Sequence, residues 1–218
     1  MPIRAVIFDM DGVIVDSEPV WNRSRVELAG AHGRSWSEEL QRACMGRSTE
    51  EWAEIMRERV PLQMTAAEVM AEMRERMLSA YRAHLPVLPG AVEAVHRMAG
   101  AFAVAMASGS MTALIEHVLR ATGLDHAISV VVLGDTIPRG KPAPDIYLEA
   151  ARRLGVPPGD CVGVEDSSNG LRSLRAAGMR AVAVPSPGYP LSEEALALAD
   201  LRLASLIDLS VEAVRQFP

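Results

Sequence analysis

Cysteine is scarce in this chain: Cys44 and Cys161 are the only two among 218 residues. They lie far apart and match no metal-ligand spacing, so neither a disulfide framework nor a zinc site is expected, and both read as buried thiols. Long apolar runs are missing too, and no segment reaches the roughly 20 residues that a membrane-spanning helix needs. The apolar run near the amino terminus is too short for a signal peptide and ends in acids, so a soluble cytoplasmic protein is expected. No basic run stands out, with 28 acids against 22 bases and a formal net charge of -6, which argues against a nucleic-acid groove. That balance still permits an anionic small substrate, because one local cation suffices. No glycine pair has Gly-x-Gly spacing, which removes a dinucleotide fingerprint. Internal repeats and low-complexity tracts are absent as well.

What remains is the composition of an ordinary globule, with 49% hydrophobic and 23% charged residues. A chain of this length can bury roughly 70% of its unfolded surface without staples. Short β-branched runs alternate with amphipathic stretches. Strands are predicted near residues 5–8, 102–107, 128–133, 161–164 and 181–184, with a weaker one at 201–203. Leu114, Ile115, Val118 and Leu119 share a helical face, as do Tyr147, Ala150, Ala151 and Leu154. This alternation predicts an α/β fold with a doubly wound parallel sheet. Residues 16–85 break the pattern. They hold no convincing strand but carry three capping-box signatures, Ser35-x-x-Glu38, Ser48-x-x-Glu51 and Thr65-x-x-Glu68. The expected organisation is an α/β core of residues 1–15 and 86–218, with an all-helical insertion of exposed helices at 16–85. Linkers are expected at 16–19 and 85–90, about which the insertion would open and close.

Four strand ends carry chemistry. Asp9-Met10-Asp11-Gly12-Val13 follows the first strand, and an i, i+2 pair in extended backbone sends both carboxylates to one side. Two converging carboxylates repel unless a cation sits between them. An EF-hand is excluded, because Gly is fourth rather than sixth and the twelfth residue is Val20 rather than Glu. A solvated strand-to-helix turn remains the simpler alternative for this pair alone. At the second strand end, Ser108-Gly109-Ser110 offers a hydroxyl and backbone N–H groups at a helix start, suited to an anion. Ser110 could equally cap the helix, whereas Ser108 is one position too early for that. The third, Lys141-Pro142-Ala143-Pro144-Asp145, fixes an ammonium between prolines and is not a Walker P-loop. The fourth, Glu165-Asp166-Ser167-Ser168-Asn169-Gly170, is a second acidic pair with hard oxygen ligands for magnesium, or a helix start capped by Ser168 or Asn169.

This ordered set resembles the haloacid dehalogenase superfamily, in the subgroup with a helical cap inserted after the first motif. The resemblance runs from about residue 3 to 185. It implies a Rossmann-like core and magnesium as cofactor. Asp9 would be the nucleophile that takes the phosphoryl group, and Asp11 the acid and base. Ser108 and Lys141 would hold phosphate oxygens, with Gly109 and Ser110 beside them. Asp9, the Asp11 backbone carbonyl and Asp166 would form the metal site, with Glu165 assisting or replacing Asp166. True dehalogenases of this superfamily lack the second aspartate and the metal, so Asp11 implies phosphoryl transfer.

Within the superfamily, the chain is similar to sugar-phosphate phosphatases and β-phosphoglucomutases. The mutases carry a histidine on the first cap helix in the slot that Trp21 fills here, and Asp16-Ser17-Glu18-Pro19-Val20-Trp21 looks more like phosphatases of hexose or hexitol phosphates. Gly46-Arg47-Ser48 matches a cap loop that contacts the distal part of the substrate, and Glu18 and Trp21 are further candidates for the pocket wall. The expected activity is magnesium-dependent hydrolysis of small phosphate monoesters through an aspartyl-phosphate on Asp9; intramolecular phosphoryl transfer of the mutase kind is the alternative. The partner is then a small-molecule ester, not nucleic acid or a membrane. Oligomeric state is not written in the pattern, and a monomer is compatible with it.

Overall fold

Ala5-Val6-Ile7-Phe8 forms strand β1 (Ala5–Phe8) with all four side chains buried. Alternation along the strand sends Val6 and Phe8 into one apolar layer and Ala5 and Ile7 into the other. The protein is described from a computed structural model that covers residues 2–45, 47–186, 188 and 190–217. Four helices follow β1: α1 (Glu18–Ala31), α2 (Glu38–Cys44), α3 (Thr49–Arg59) and α4 (Ala66–Ala83). The chain then returns to alternation through α5 (Ala91–Ala99), β2 (Ala103–Ser108), α6 (Thr112–Thr122), β3 (Val130–Leu133), α7 (Asp145–Leu154) and β4 (Cys161–Glu165). It closes with α8 (Ser168–Ala176), β5 (Arg180–Ala183), α9 (Glu193–Leu196), β6 (Leu201–Arg202) and α10 (Val211–Arg215). No helix is long and apolar enough to cross a membrane among the described residues.

All six strands lie in one parallel sheet in the order β3-β2-β1-β4-β5-β6. The chain winds outward from β1 to β3, then crosses back to lay β4 on the other side of β1. The carboxyl ends of β1 and β4 therefore flank the reversal point, where open α/β sheets form a crevice. In register, Phe8 pairs with Val164, so the residues that follow each strand emerge side by side. The two faces differ in bulk. Val104, Met106, Val162, Val164 and Val182 fill one layer, while Ala105, Ala107, Ala181 and Ala183 face α7 and α8 on the other. Small residues let those helices approach closely. At Gly163 an added Cβ would lie 2.0 Å from Leu174 Cδ2 of α8.

Several predicted boundaries move. β2 begins one residue late and includes Ser108, β3 starts at Val130 rather than 128, β4 extends to Glu165, β5 begins and ends one residue early, and β6 stops at Arg202. The Ser48 and Thr65 capping boxes form as expected. The Ser35 box does not. Glu38 is the first residue of α2, too early to reach back, and Ser37 caps the helix by accepting from Leu40 N–H. Glu18 and Pro19 already belong to α1, so the first linker shortens to Asp16 and Ser17. The two linkers also pair: Asp16 N–H donates to Pro86 at 2.8 Å, Leu88 N–H donates to Ile14 at 2.9 Å, and Val15 bridges Val87 antiparallel. The inserted helices share the larger apolar layer with the sheet, through Trp21, Leu28, Met56, Met73 and Met77. Their apolar sides are thus not a separate small core. Cys44 and Cys161 are free and buried, as the sequence predicts.

Close packing at the sheet centre makes a direct test. Gly163→Ala is expected to lower stability by about 1–3 kcal/mol through overpacking against Leu174. Thermal denaturation reads it as a lower Tm; an unchanged Tm would mean that α8 is not tightly seated.

Candidate active site

Four chain segments meet over the carboxyl edge of the sheet. Asp9 follows β1 and anchors its backbone N–H on Val164 O at 3.0 Å. The residue is 6% exposed. Two residues on, Gly12 adopts φ +71°, and a Cβ there would lie 1.8 Å from Asp166 Oδ2. Glycine is therefore needed both for the left-handed turn and to admit the Asp166 carboxylate. Asp9, Glu165 and Asp166 each offer a carboxylate oxygen within 4.8 Å of the other two. The Asp11 side chain is not in that group; its Oδ2 receives the Ser108 hydroxyl at 3.4 Å.

Lys141 is the only lysine in the chain, and it reaches into this acidic cradle. Its Nζ lies 2.5 Å from Glu165 Oε1 and 3.1 Å from Asp9 Oδ1, and 5.0 Å from the centre of the Tyr147 ring. The Asp9 contact is an ion pair without hydrogen-bond alignment, so Asp9 Oδ1 is buried with no directional donor. Glu165 is the opposite case. Its Oε1 accepts from Lys141 and from the Tyr147 hydroxyl at 2.6 Å. Its Oε2 accepts from Asp166 N–H, Ser167 N–H and Ser167 Oγ at 3.1, 3.2 and 3.0 Å. Five donors saturate a fully buried carboxylate. A Cβ on Gly170 would stand 1.8 Å from Glu165 Cδ, so the first turn of α8 also leaves it room.

Electrostatics follow from this geometry. Burial pushes the Asp9 carboxyl up to about 7, with Lys141 pulling it down and Glu165 and Asp11 pushing it further up. Burial also raises Asp166, well above the usual carboxylate range, and Glu165 and Asp9 add to the shift. Asp11 is raised by burial, with Ser17, Trp21 and Lys141 opposing. Burial alone would lower Lys141, but Asp9 and Glu165 more than offset it and hold the ammonium charged. The cradle is thus short of positive charge.

The remaining sequence-predicted residues fall around one cavity of about 290 Å3 between sheet edge and inserted helices. Ser108, fully buried at the end of β2, accepts from Ser110 N–H at 3.1 Å. Ser110 does not cap α6, a position held by Met111, and its hydroxyl is buried without a partner among the described residues, in the cavity wall with Gly109. Ser167, rather than Ser168 or Asn169, caps α8. Arg47 lines the cavity from the cap side, about half exposed and 3.4 Å from Glu51. Glu18 and Trp21 lie in the same wall. Gly46 falls outside the described residues. Sequence reasoning missed Tyr147, Arg25, Trp52 and Ser186, all in or beside the wall. Two signals were available: the chain's lone lysine, and the two-turn spacing of Glu18 and Arg25 on one helix face.

A sequence model of the family described as haloacid dehalogenase-like hydrolase matches residues 3–178. Hexitol phosphatase B of Escherichia coli K12 is 33% identical over 213 residues, covering 96% of each chain. Fructose-1-phosphate phosphatase YqaB of the same organism is 35% identical over 179 residues, 82% of this chain and 95% of that one. Among solved structures, CbbY from Rhodobacter sphaeroides in complex with phosphate superposes with a TM-score of 0.88 at 29% identity, covering 99% of this chain and 100% of that one.

The seating of Lys141 can be tested without any substrate. With one lysine, acylation by an amine-reactive reagent followed by peptide mass spectrometry reports on that side chain alone. Native protein is expected to resist labelling at Lys141. Gly170→Ala, which drives a methyl group into Glu165, is expected to raise its labelling rate several-fold and to cost about 1–3 kcal/mol of stability. Equal labelling of native and variant protein would contradict the described ion pair.

Proposed function

The chain belongs to the haloacid dehalogenase-like hydrolase family, and on that footing we propose that it is a magnesium-dependent phosphatase of small phosphate monoesters, sugar or sugar-alcohol phosphates foremost. The observation that carries this reading is the lone buried ammonium of Lys141 between Asp9 and Glu165, beside a buried Asp9 oxygen without a directional donor. The named phosphatase relatives support the hydrolytic activity. The cradle also fits a divalent cation: hard carboxylate oxygens cluster there, burial raises the Asp9 and Asp166 carboxyls, and one ammonium does not balance three acids. Asp9 and Asp166 would hold the ion, with the Asp11 backbone carbonyl. Glu165 is already committed to five donors and serves better to fix Lys141. When bound, magnesium supplies positive charge that offsets the repulsion between an anionic nucleophile and a phosphate dianion.

The protein's own groups account for the rest. The Asp9 carboxylate attacks phosphorus as the bond to the ester oxygen breaks, leaving an acyl phosphate on Asp9. Asp11 gives its proton to the departing alkoxide. It then takes a proton from the water that attacks phosphorus, which returns Asp9 and releases inorganic phosphate. Lys141 neutralises a non-bridging oxygen, and Ser110 Oγ, Ser108 and the Gly109 N–H take the others. Arg47, Glu18 and Trp21 face the leaving group. Residues 16–85 form the cap, and the paired linkers at 14–16 and 86–88 are where it hinges. The mutase alternative is disfavoured by Trp21, whose indole cannot shuttle a proton as an imidazole does.

Release of inorganic phosphate from a panel of hexose and hexitol phosphates tests the reading. Activity is expected only with magnesium and is expected to vanish in Asp9→Asn. Lys141→Arg, which keeps the charge but not its point-like shape, is expected to lower kcat roughly 10²–10³-fold. Full activity in Asp9→Asn would refute the mechanism. Conversion of glucose 1-phosphate to glucose 6-phosphate without phosphate release would select the mutase.

A further inference from the structure

The cap contributes a second ion pair to the cavity, with its arginine buried and its glutamate partly so. Arg25, on α1, is 3% exposed. Its guanidinium carbon lies 5.2 Å from the centre of the Trp21 ring and 5.9 Å from that of Trp52. The two rings meet at 59° with centroids 5.5 Å apart, so the guanidinium rests against both. Its Nη1 donates to Glu18 Oε1 at 3.4 Å, two helical turns toward the amino end of α1. Gln41 Nε2 on α2 donates to the same oxygen, and the Gln41 carbonyl is oriented by Trp36 Nε1–H at 3.0 Å. Glu18, Trp21, Arg25 and Trp52 all line the cavity that contains Asp9, Asp11 and Lys141.

A glutamate at a helix start needs no such apparatus if its task is only to favour the helix dipole. Here five side chains, Trp21, Arg25, Trp36, Gln41 and Trp52, from three helices and the loop after α1 frame one carboxylate in a cavity wall. Both described bonds land on Oε1, and no described hydrogen bond engages Oε2. Burial and the nearby Asp11 push the Glu18 carboxyl up, and Arg25 opposes them. A guanidinium is suited to this position because it stays charged when desolvated and stacks on aromatic faces. A carboxylate acceptor flanked by indole rings accepts hydroxyl hydrogens and packs against C–H faces.

We propose that Glu18 reads a hydroxyl of the leaving group, that Arg25 is the positioning residue that holds its carboxylate in place, and that together they select monophosphates of polyhydroxylated alcohols over aryl esters. This rests on the phosphatase reading above and specifies its substrate class.

The test compares kcat/KM for a hexitol phosphate with that for p-nitrophenyl phosphate, whose leaving group carries no aliphatic hydroxyls. Glu18→Gln is expected to lower the hexitol-to-aryl ratio about tenfold or more, mainly through KM, as expected for losing a bond to a charged acceptor. Arg25→Met keeps an aliphatic stem between the rings and is expected to lower the ratio similarly, while Arg25→Lys restores part of it. A merely structural Arg25 would depress both substrates alike and leave the ratio in place. An unmoved ratio in Glu18→Gln overturns the inference even if Arg25→Met fails to fold, because Glu18→Gln retains the cation. If the wild type releases phosphate from neither ester, the phosphatase reading fails and this inference falls with it. Cleavage of both with an unmoved ratio leaves that reading standing and sinks this one alone.

Discussion

The Lys141–Glu165 ion pair sets the conditions that the rest of the site must meet. A buried ammonium is tolerable only beside anions, and a buried carboxylate only with its lone pairs occupied. Glu165 meets its side with Lys141, Tyr147 and three donors from the turn that starts α8. That demand dictates local backbone: the strand must end at Glu165, Ser167 must cap the helix, and position 170 must lack a side chain. It also brings α7 in, because the Tyr147 ring lies beside the same ammonium. One interaction thus couples the ends of β1, β2 and β4 to two helices, since Lys141 also reaches Ala107 O at 3.4 Å.

Charge in the cradle does not balance, with three carboxylates around one ammonium. Asp9 Oδ1, Asp11 Oδ1 and Ser110 Oγ are buried atoms without hydrogen-bond partners among the described residues, and all belong to residues of the cavity wall. Such atoms are rare in folded proteins and costly where no ligand meets them. Their gathering around one cavity argues that a ligand completes them. The opposite, cap-side wall is built differently, with Glu18 matched by Arg25 and Gln41 inside an indole frame. The core side is left short of positive charge, whereas the cap side matches Glu18 with Arg25.

Much of the architecture could be read along the chain because its signals are local. A β-branched run followed by acids, a Ser-x-x-Glu ahead of a helix and a Pro-flanked lysine are recognisable within a few residues. The α/β alternation, the helical insertion and the strand-end motifs were therefore legible, with boundaries off by one or two positions. The errors share a cause. Whether Ser35 or Ser37 caps α2 depends on where Glu38 falls relative to the first turn, and periodicity does not set that phase. Whether Ser110 caps a helix or faces a cavity depends on Met111 taking the cap.

Residue chemistry and order along the chain were enough to indicate the fold class and to nominate Asp9, Asp11, Lys141 and Asp166, because the crevice of an open α/β sheet forms at strand ends and strand ends announce themselves in sequence. Which carboxylate would be occupied and which left open was settled by folding. Glu165 and Asp166 are neighbours with identical functional groups, and only the approach of Tyr147, Lys141 and the α8 turn distinguishes them. The Trp21–Arg25–Trp52 stack likewise brings together residues 31 positions apart on different helices (21 and 52), through packing that no short window of sequence contains. Local pattern specifies elements; partners across long loops, and hence the protonation and reach of each side chain, come only from how those elements pack.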